Sequence, residues 1–339
     1  MKSAEIQVLA ADLEDRQQTD RARLIETHIS WVILIGDFAY KIKKPVRFSF
    51  LDFSTCKRRK FFCERELFLN SRLAPQMYLG VFPIYASRKH LSLTNNNGRI
   101  VDYAVRMQRM DTAKEMGKLL AAGKVGQKQI VTLAAKLAAF HRSAKVVQRH
   151  VDLRALHKRW AELLTVQSLT KKRLGEGCAA ILQKAVEYGK RYLKFNSAII
   201  SERYKSGAVR DLHGDLHAGN IFLYEEPVIF DCIEFNNDLR QVDMLDELAF
   251  LQMDMESYGE LELSKLLFEE YSKLMGLATT TAPKGLYQYY KIYRAAVRAK
   301  VQIIQSGSAS DKAMSLVFAN RYLKLLETYI SLPPFDPMV

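Results

Sequence analysis

Cysteine, proline and glycine are all scarce in this chain, and each shortage excludes something. It has only 4 cysteines in 339 residues, and Cys56, Cys63, Cys178 and Cys232 form no C-x-x-C pair and keep no histidine cluster beside them. Structural zinc and a disulfide framework are therefore not expected, and Cys232 reads as a small buried filler. With 8 prolines and 16 glycines, no long disordered linker is implied. No apolar run is long enough to span a bilayer, and charges scattered through the N-terminal stretch leave no signal-peptide core. The chain therefore reads as cytoplasmic, with no membrane partner. The phosphate-cradling G-x-x-x-x-G-K-[ST] is missing too, so no P-loop domain is expected.

Positive charge is what the chain has in excess. A formal net charge of +14 favours anionic partners such as nucleotides, phosphorylated substrates, nucleic acid or an acidic surface. The basic residues are nevertheless spread, with short clusters only at Lys41-Ile42-Lys43-Lys44 and Lys57-Arg58-Arg59-Lys60. No recognised nucleic-acid motif accompanies them, so most read as a solvated surface and nucleic acid is not the expected partner.

The first third is strand-rich. Residues 5–26 read as a helix on loosely spaced Ile6, Leu9 and Leu13. Two β-rich runs, His28 to Ile35 and Phe38 to Lys43, flank a Gly36-Asp37 turn and predict a hairpin. On its second strand Tyr40 and Ile42 face one way, Lys41 and Lys43 the other. Taken alone, the lysines could be solvent-facing charges guarding an edge strand. Ser54 to Leu73 predicts a helix with Phe61, Phe62, Leu67, Phe68 and Leu69 as its apolar side and Glu64 and Glu66 within it. Strands follow over 79–86 and 90–108, with a turn at Asn95-Asn96-Asn97-Gly98. At Gln108-Arg109-Met110-Asp111 the character changes. From about 112 the chain is helical, with helices at 130–147, 153–169, 179–204, 245–256, 261–276, 284–305 and 311–330. A chain of this length can build two lobes. The boundary is placed between 110 and 111, giving a strand-rich N-lobe at 1–110 and a helical C-lobe at 111–339.

The stretch most charged with chemistry is H-G-D-L-H-A-G-N from His213 to Asn220, followed by an apolar run, Val228-Ile229-Phe230, that ends on Asp231. Phosphoryl transfer from Mg·ATP needs a group to deprotonate an acceptor hydroxyl and hard oxygen ligands for Mg²⁺. Asp215 suits the first task; Asn220 and Asp231 suit the second. Asp and Asn also cap turns, which is the plainer reading of either residue by itself.

His213, Asp215 and Asn220 follow H-x-D-x-x-x-x-N, and with Asp231 they resemble the catalytic loop and metal aspartate of the aminoglycoside phosphotransferase family. The phrases T-H-I-S-W-V, A-Y-K-I-K-K-P-V, F-L-D-F-S-T and I-F-D-C-I-E-F-N resemble a bacterial subgroup of it. The resemblance implies an α+β, bilobal protein-kinase-like fold shared with choline kinases. It implies that Lys41, with Lys43 as the alternative, holds ATP phosphates and that Glu66 orients the lysine. Gln108 and Met110 would lie at the hinge, against the adenine. His213 would shape the loop, His141 would be structural, and an acid around Asp243 would brace the loop. Where that family has Asp-Leu-Ala, this chain has Glu247-Leu248-Ala249, with Asp246 as a possible substitute. Glu234 is a candidate carboxylate beside the metal or substrate. Arg294 and Arg298, four apart on a face with Tyr287, Tyr290 and Lys291, would suit an anionic or hydroxylated acceptor. A G-x-G-x-x-G loop over the phosphates is absent, as it often is in that family. Some relatives carry a further P-loop kinase domain, which is not expected here.

The function so implied is an ATP-dependent phosphotransferase acting on a small-molecule hydroxyl, with Mg²⁺ as cofactor. The acceptor stays open because one fold hosts many, although +14 argues against polycationic aminoglycosides. The alternatives are a protein-directed kinase or nucleotidyl-transferring enzyme, and a catalytically weak ATP-binding module.

Overall fold

The alternation that predicts the hairpin also selects its neighbours. In the computed structural model, which describes residues 1–17, 21–48, 51–87, 90–94, 97–277, 284–307 and 312–332, β2 (Ser30–Ile35) and β3 (Phe38–Lys43) pair in the expected register, Ile35 opposite Phe38. With β1 (Arg23–Glu26), β6 (Tyr78–Ser87), β7 (His90–Ser92) and β8 (Arg99–Gln108) they form a six-stranded antiparallel sheet, ordered β1-β2-β3-β8-β6-β7. Residues 18–20, 95, 96 and 311, which fall within the expected helix over 5–26, the strand over 90–108, the turn at 95–98 and the helix over 311–330, lie outside the described residues.

Because β3 lies between β2 and β8, Lys41 and Lys43 are not edge charges. Tyr40 and Ile42 join Trp31, Ile33 and Ile35 on one sheet face under Ile6, Leu9 and Leu13 of helix α1 (Ser3–Gln17). The other face carries Ala39, Val105 and Met107 against Cys63 of helix α2 (Cys56–Asn70). Of the helix expected over 5–26, α1 covers Ser3–Gln17. A tight turn, in which the Thr27 N–H donates to Ser30 O at 2.9 Å, folds Arg23–Glu26 back as a strand along β2.

Helix α2 starts where Thr55 caps it, the side chain accepting the Arg58 N–H. Its inward face differs from the expected apolar side. Phe61 and Phe68 are 54% and 71% exposed, while Arg59, Cys63, Glu66, Leu69 and Asn70 are buried. Ion pairing sets this face: Arg59 meets Asp102 at 2.8 Å, and Glu66 meets the strand lysines. Buried charges demand such partners more strongly than an exposed phenyl ring demands cover.

Two compact units emerge. One comprises Met1–Glu115 with Asn220–Arg240, the other Met116–Gly219 with Gln241–Val339. The boundary is thus a few residues later than the sequence suggested, and 220–240 side with the first unit. Two features accompany this: β10 (Ile221–Phe222) and β11 (Val228–Ile229) form a hairpin, and the Cys232 N–H makes a long-range bond to Asn70 Oδ1 of α2 at 2.8 Å. A short ladder of β4 (Arg47–Phe48) with β5 (Leu51–Asp52) and helix α8 (Asn237–Arg240) complete this unit.

The second unit is helical. It contains α3 (Met116–Ala121), α4 (Gln127–Ser143), α5 (Leu153–Glu162), α6 (Gln167–Leu174), α7 (Glu176–Lys205), α9 (Met244–Ser257), α10 (Leu261–Met275), α11 (Lys284–Gln305) and α12 (Lys312–Ser331). The helix expected over 153–169 is split by a 3-10 turn at Leu163–Val166, and α7 leaves helical geometry at Asn196. Trp160, Leu182, Tyr192, Phe250, Met253 and Tyr322 are among the residues of its core. One small ladder, β9 (Val209–Asp211) with β12 (Gln241–Asp243), leads into the H-G-D segment. Among the described residues, no helix is long and apolar enough to cross a membrane.

Candidate active site

In the helical unit, the segment after β9 is held by carboxylates that accept its backbone N–H groups. Glu247, 1% exposed on α9, receives the N–H of His213 at 2.9 Å and that of Gly214 at 2.6 Å. Its other contact is His141 Nε2 at 3.1 Å, and His141 Nδ1 in turn meets the Tyr271 hydroxyl at 2.7 Å. Burial opposes ionisation of Glu247, yet the His141 hydrogen bond and the loop around it keep its carboxyl below the usual range. Asp254, also on α9, accepts the Ala218 N–H at 2.8 Å. The two acids together hold both ends of the turn.

Glycines are required at two places. Gly214 has φ +87°, which side chains resist. At Gly219 an added Cβ would lie 3.0 Å from the His217 ring. That ring accepts the Gly219 N–H at Nδ1 and brings Nε2 to 3.5 Å from Asp215 Oδ2. Asp215 keeps 39% of its side chain exposed. Burial of the remainder works against charge, but His217, Arg298 and His213 hold its carboxyl well below the ordinary carboxylate range. His213 accepts the Asp215 N–H at Nδ1, 3.3 Å away, an internal bond that shapes the turn.

Two expected assignments come out differently. Arg294 grips Asp246 with two 2.7 Å bonds and donates to Gly214 O at 3.3 Å, all while buried. A buried guanidinium needs a buried partner, so Arg294 supports the loop rather than meeting an acceptor. Asp243 meets Arg203 at 2.7 and 2.6 Å and caps α9 through the Leu245 N–H. The brace expected near Asp243 is supplied by Glu247, whose longer side chain reaches the loop. Asp246 is committed to Arg294. Arg298 lies near the Tyr322 hydroxyl at 3.4 Å.

The first unit holds the other expected residues and brings Lys41, Lys43, Glu66, Asp231 and Glu234 together. Lys41 Nζ lies 2.5 Å from Asp231 Oδ1 and 2.8 Å from Glu66 Oε1. Lys43 Nζ lies 2.7 Å from Glu66 Oε2 and also pairs with Glu234 Oε1. Burial alone would depress Lys41, but the Asp231, Glu66 and Glu234 carboxylates hold it well above the usual lysine value. Glu66, opposed by burial, is pulled down to about 2 by the two lysines, whereas burial leaves Glu234 raised. Asp231 sits at the end of β11 in left-handed geometry, φ +62°, with its N–H donated to the Tyr78 hydroxyl at 3.2 Å. The Phe230 N–H donates to Asn220 O at 3.0 Å, so the hairpin sets Asn220 across from the residue that precedes Asp231. Gln108 donates its N–H to Met77 O at 2.7 Å, and Met110, like Val228 and Phe230, packs against the cluster that contains Ala39.

Sequence reasoning missed Asp254, Asn70 and Tyr78. A lone acid inside the apolar run L-A-F-L-Q-M-D-M of α9 is a signal that could have found Asp254. Nothing local distinguishes Asn70 or Tyr78, whose partners are far along the chain.

Against known proteins, no family model matches the chain. Uncharacterized proteins of Mycobacterium tuberculosis and Mycobacterium bovis are 32% identical over 321 residues, 92% of this chain, and the chain spans 62% of their length. Among solved structures, a choline/ethanolamine kinase family protein from Mesorhizobium loti superposes with TM-score 0.53 at 15% identity, covering 98% of this chain and 96% of that one. The GDP and kanamycin complex of APH(2″)-IIia gives 0.55 at 12% identity, covering 97% and 98%. Amicoumacin kinase hAmiN, in complex with AMP-PNP, Ca²⁺ and Ami, gives 0.53 at 14% identity, covering 99% of each chain. The chain therefore has the α+β kinase-like fold of the choline kinases and aminoglycoside phosphotransferases, the fold that its H-x-D-x-x-x-x-N segment implied.

Proposed function

We propose that the chain is a small-molecule kinase, transferring the γ-phosphoryl of Mg·ATP to an acceptor hydroxyl. The observation that carries this reading is Lys41 held between Glu66 and Asp231. It is an ammonium aimed by one carboxylate and lying against a second that ends a strand, an arrangement suited to a polyphosphate and its counter-ion. The fold and the nucleotide complexes of its structural neighbours support the same reading.

Asn220 and Asp231 offer hard oxygen donors, and Asp231 keeps 44% of its side chain exposed. Among the described residues no group of three acidic, histidine or cysteine side chains could hold a metal by itself. That fits Mg²⁺, which takes one or two protein oxygens and completes its shell with phosphates and water, better than a protein-only cage. When bound, Mg²⁺ would neutralise charge on the triphosphate. Lys41 would hold the α and β phosphates, and Gln108 and Met110 would line the base. Asp215, ionised and partly exposed, would take the acceptor's proton as its oxygen bonds to the γ-phosphorus and the bond to the leaving ADP breaks. Excess positive charge fits an acceptor that is neutral or anionic. Cytoplasmic location belongs to the same reading.

The test is ADP release from Mg·ATP with fractionated bacterial small-molecule extract, for wild type beside Asp215→Asn. Release that requires one fraction and vanishes in the variant supports the reading. Equal release from both proteins would remove Asp215 from the role of base. No release with any fraction would leave a nucleotide-binding module, although Glu247 gives the loop the support whose loss would favour such a module.

A further inference from the structure

We infer that Lys43 and Glu234 are a positioning pair: they fix Glu66, and through it the strength of nucleotide binding, without touching the nucleotide. The inference rests on the reading of Lys41 and Glu66 given above. Its starting point is a gradient of exposure along one chain of charges. The Asp231 side chain is 44% exposed and that of Lys41 13%, whereas Glu66 is fully buried and Lys43 and Glu234 are at 2% and 4%. Only the Lys41–Asp231 end can meet a ligand. Lys43 is further closed in by the Phe53 ring, 4.9 Å from its ammonium. Of the two lysines on this strand face, Lys43 is therefore the internal one.

The two oxygens of Glu66 are held unequally. Oε2 receives a hydrogen bond from Lys43 at 2.7 Å. Oε1 pairs with Lys41 at 2.8 Å, and that ammonium is shared with Asp231 Oδ1 at 2.5 Å at the exposed end of the chain of charges. Glu66 is thus fixed from the Lys43 side and leaves Lys41 able to turn toward phosphate. Glu234, the other anchor of Lys43, sits in a fixed segment: its carbonyl accepts from Arg65 Nε at 2.9 Å, and Ile233 O accepts from Arg240 at 2.8 Å. Three carboxylates face two ammonium groups in this cluster. Without Lys43 the carboxylates would draw Lys41 inward, away from any ligand.

The experiment compares wild type, Lys43→Met, Glu234→Gln and the double variant, reading Tm and the Kd for a fluorescent N-methylanthraniloyl ATP with Mg²⁺. Lys43→Met leaves the buried Glu66 and Glu234 without their shared partner and should lower Tm, Glu234→Gln leaves Lys43 paired with Glu66 and should lower it less, and the double variant, which removes one of the two stranded carboxylates, should recover part of the Lys43→Met loss. Affinity should not recover: the double variant still leaves Glu66 without its Oε2 partner, so its Kd should stay about tenfold or more above wild type. A folded double variant with wild-type Kd would show the pair to be packing only. If the double variant does not fold, Glu234→Gln decides in its place, where a several-fold weaker Kd is expected and an unchanged one overturns the inference. A wild type that binds no nucleotide overturns the parent reading, a result distinct from a variant that binds as well as wild type.

Discussion

Glu247 accepts the Gly214 N–H at 2.6 Å, from the position where the resembled family carries the shorter aspartate. The extra methylene does not remove the brace; it carries the carboxylate from α9 to two successive loop N–H groups and to His141. Glu247→Ala strands those donors in a buried site, at a cost of about 3 kcal/mol. It also frees the loop that presents Asp215, and misplacement of about 1 Å can cost on the order of 10²-fold in rate. Tm and ADP release measured together should both fall. A variant with wild-type turnover would mean that the loop holds its shape without Glu247.

The same carboxylate has a sign with pH. Its folded value is lowered by His141 and the loop against the effect of burial, so its contribution to stability is complete above the unfolded value and is lost as pH falls through the folded one. Glu247→Gln should therefore flatten the acid side of the Tm–pH curve. An acid limb of unchanged steepness would assign that dependence to other carboxylates.

Asp215 differs because it is partly exposed and no helix depends on its charge. Asp215→Asn removes the charge that His217, Arg298 and His213 favour, so it should lower Tm modestly, screened by its partial exposure, and lower kcat by roughly 10²–10⁴. Because His217, Arg298 and His213 hold the carboxyl well below its usual range against burial, the base stays ionised at and above ordinary carboxylate pH. The kcat/KM profile should show no loss between about pH 5 and 8 from its protonation. A limb near pH 6 would point to another base.

These residues differ in how visible they are in sequence. The hairpin of β2 and β3 was legible because alternation with a Gly-Asp turn is a local signal. The inward face of α2 was not. Its phenylalanines suggested one side, but Arg59 and Glu66 turn another side inward to meet Asp102, Lys41 and Lys43, partners set by strand register. Arg294 was misjudged for a similar reason: helical spacing shows which residues share a face, while only the fold shows that Asp246 waits opposite. The split of residues 220–240 from the helical unit likewise rests on long-range bonds such as Cys232 to Asn70.

Glu66 provides an acid-stability test of the first unit. Against burial, Lys41 and Lys43 pull its carboxyl from 4.5 down to about 2, so its contribution is whole above about pH 4.5 and is lost as pH falls toward 2. Glu234 is raised and works the other way, which leaves a net effect below the roughly 3 kcal/mol that Glu66 alone would give. Acid unfolding of wild type should therefore be steeper than that of Glu66→Gln. Parallel curves would mean that the lysines do not hold Glu66 ionised.

Gly189 poses a contest of two effects. In the interior of a helix, Gly→Ala ordinarily gains about 1 kcal/mol. Here Gly189 of α7 lies under the Trp160 ring, and an added Cβ would fall well inside van der Waals contact with three of its atoms. The ring cannot easily withdraw: Trp160 is 1% exposed, and its Nε1 donates to the Tyr289 hydroxyl at 2.9 Å. Overpacking of this kind costs roughly 1–3 kcal/mol, often more where the backbone must shift. The clash should win, so Gly189→Ala lowers Tm despite the better helix former. In a Trp160→Leu background the obstructing ring is gone, and the same substitution should become neutral or stabilising. If Gly189→Ala instead raises Tm with Trp160 in place, the ring has room to move, and the tight contact between α5 and α7 at this point is not what requires glycine.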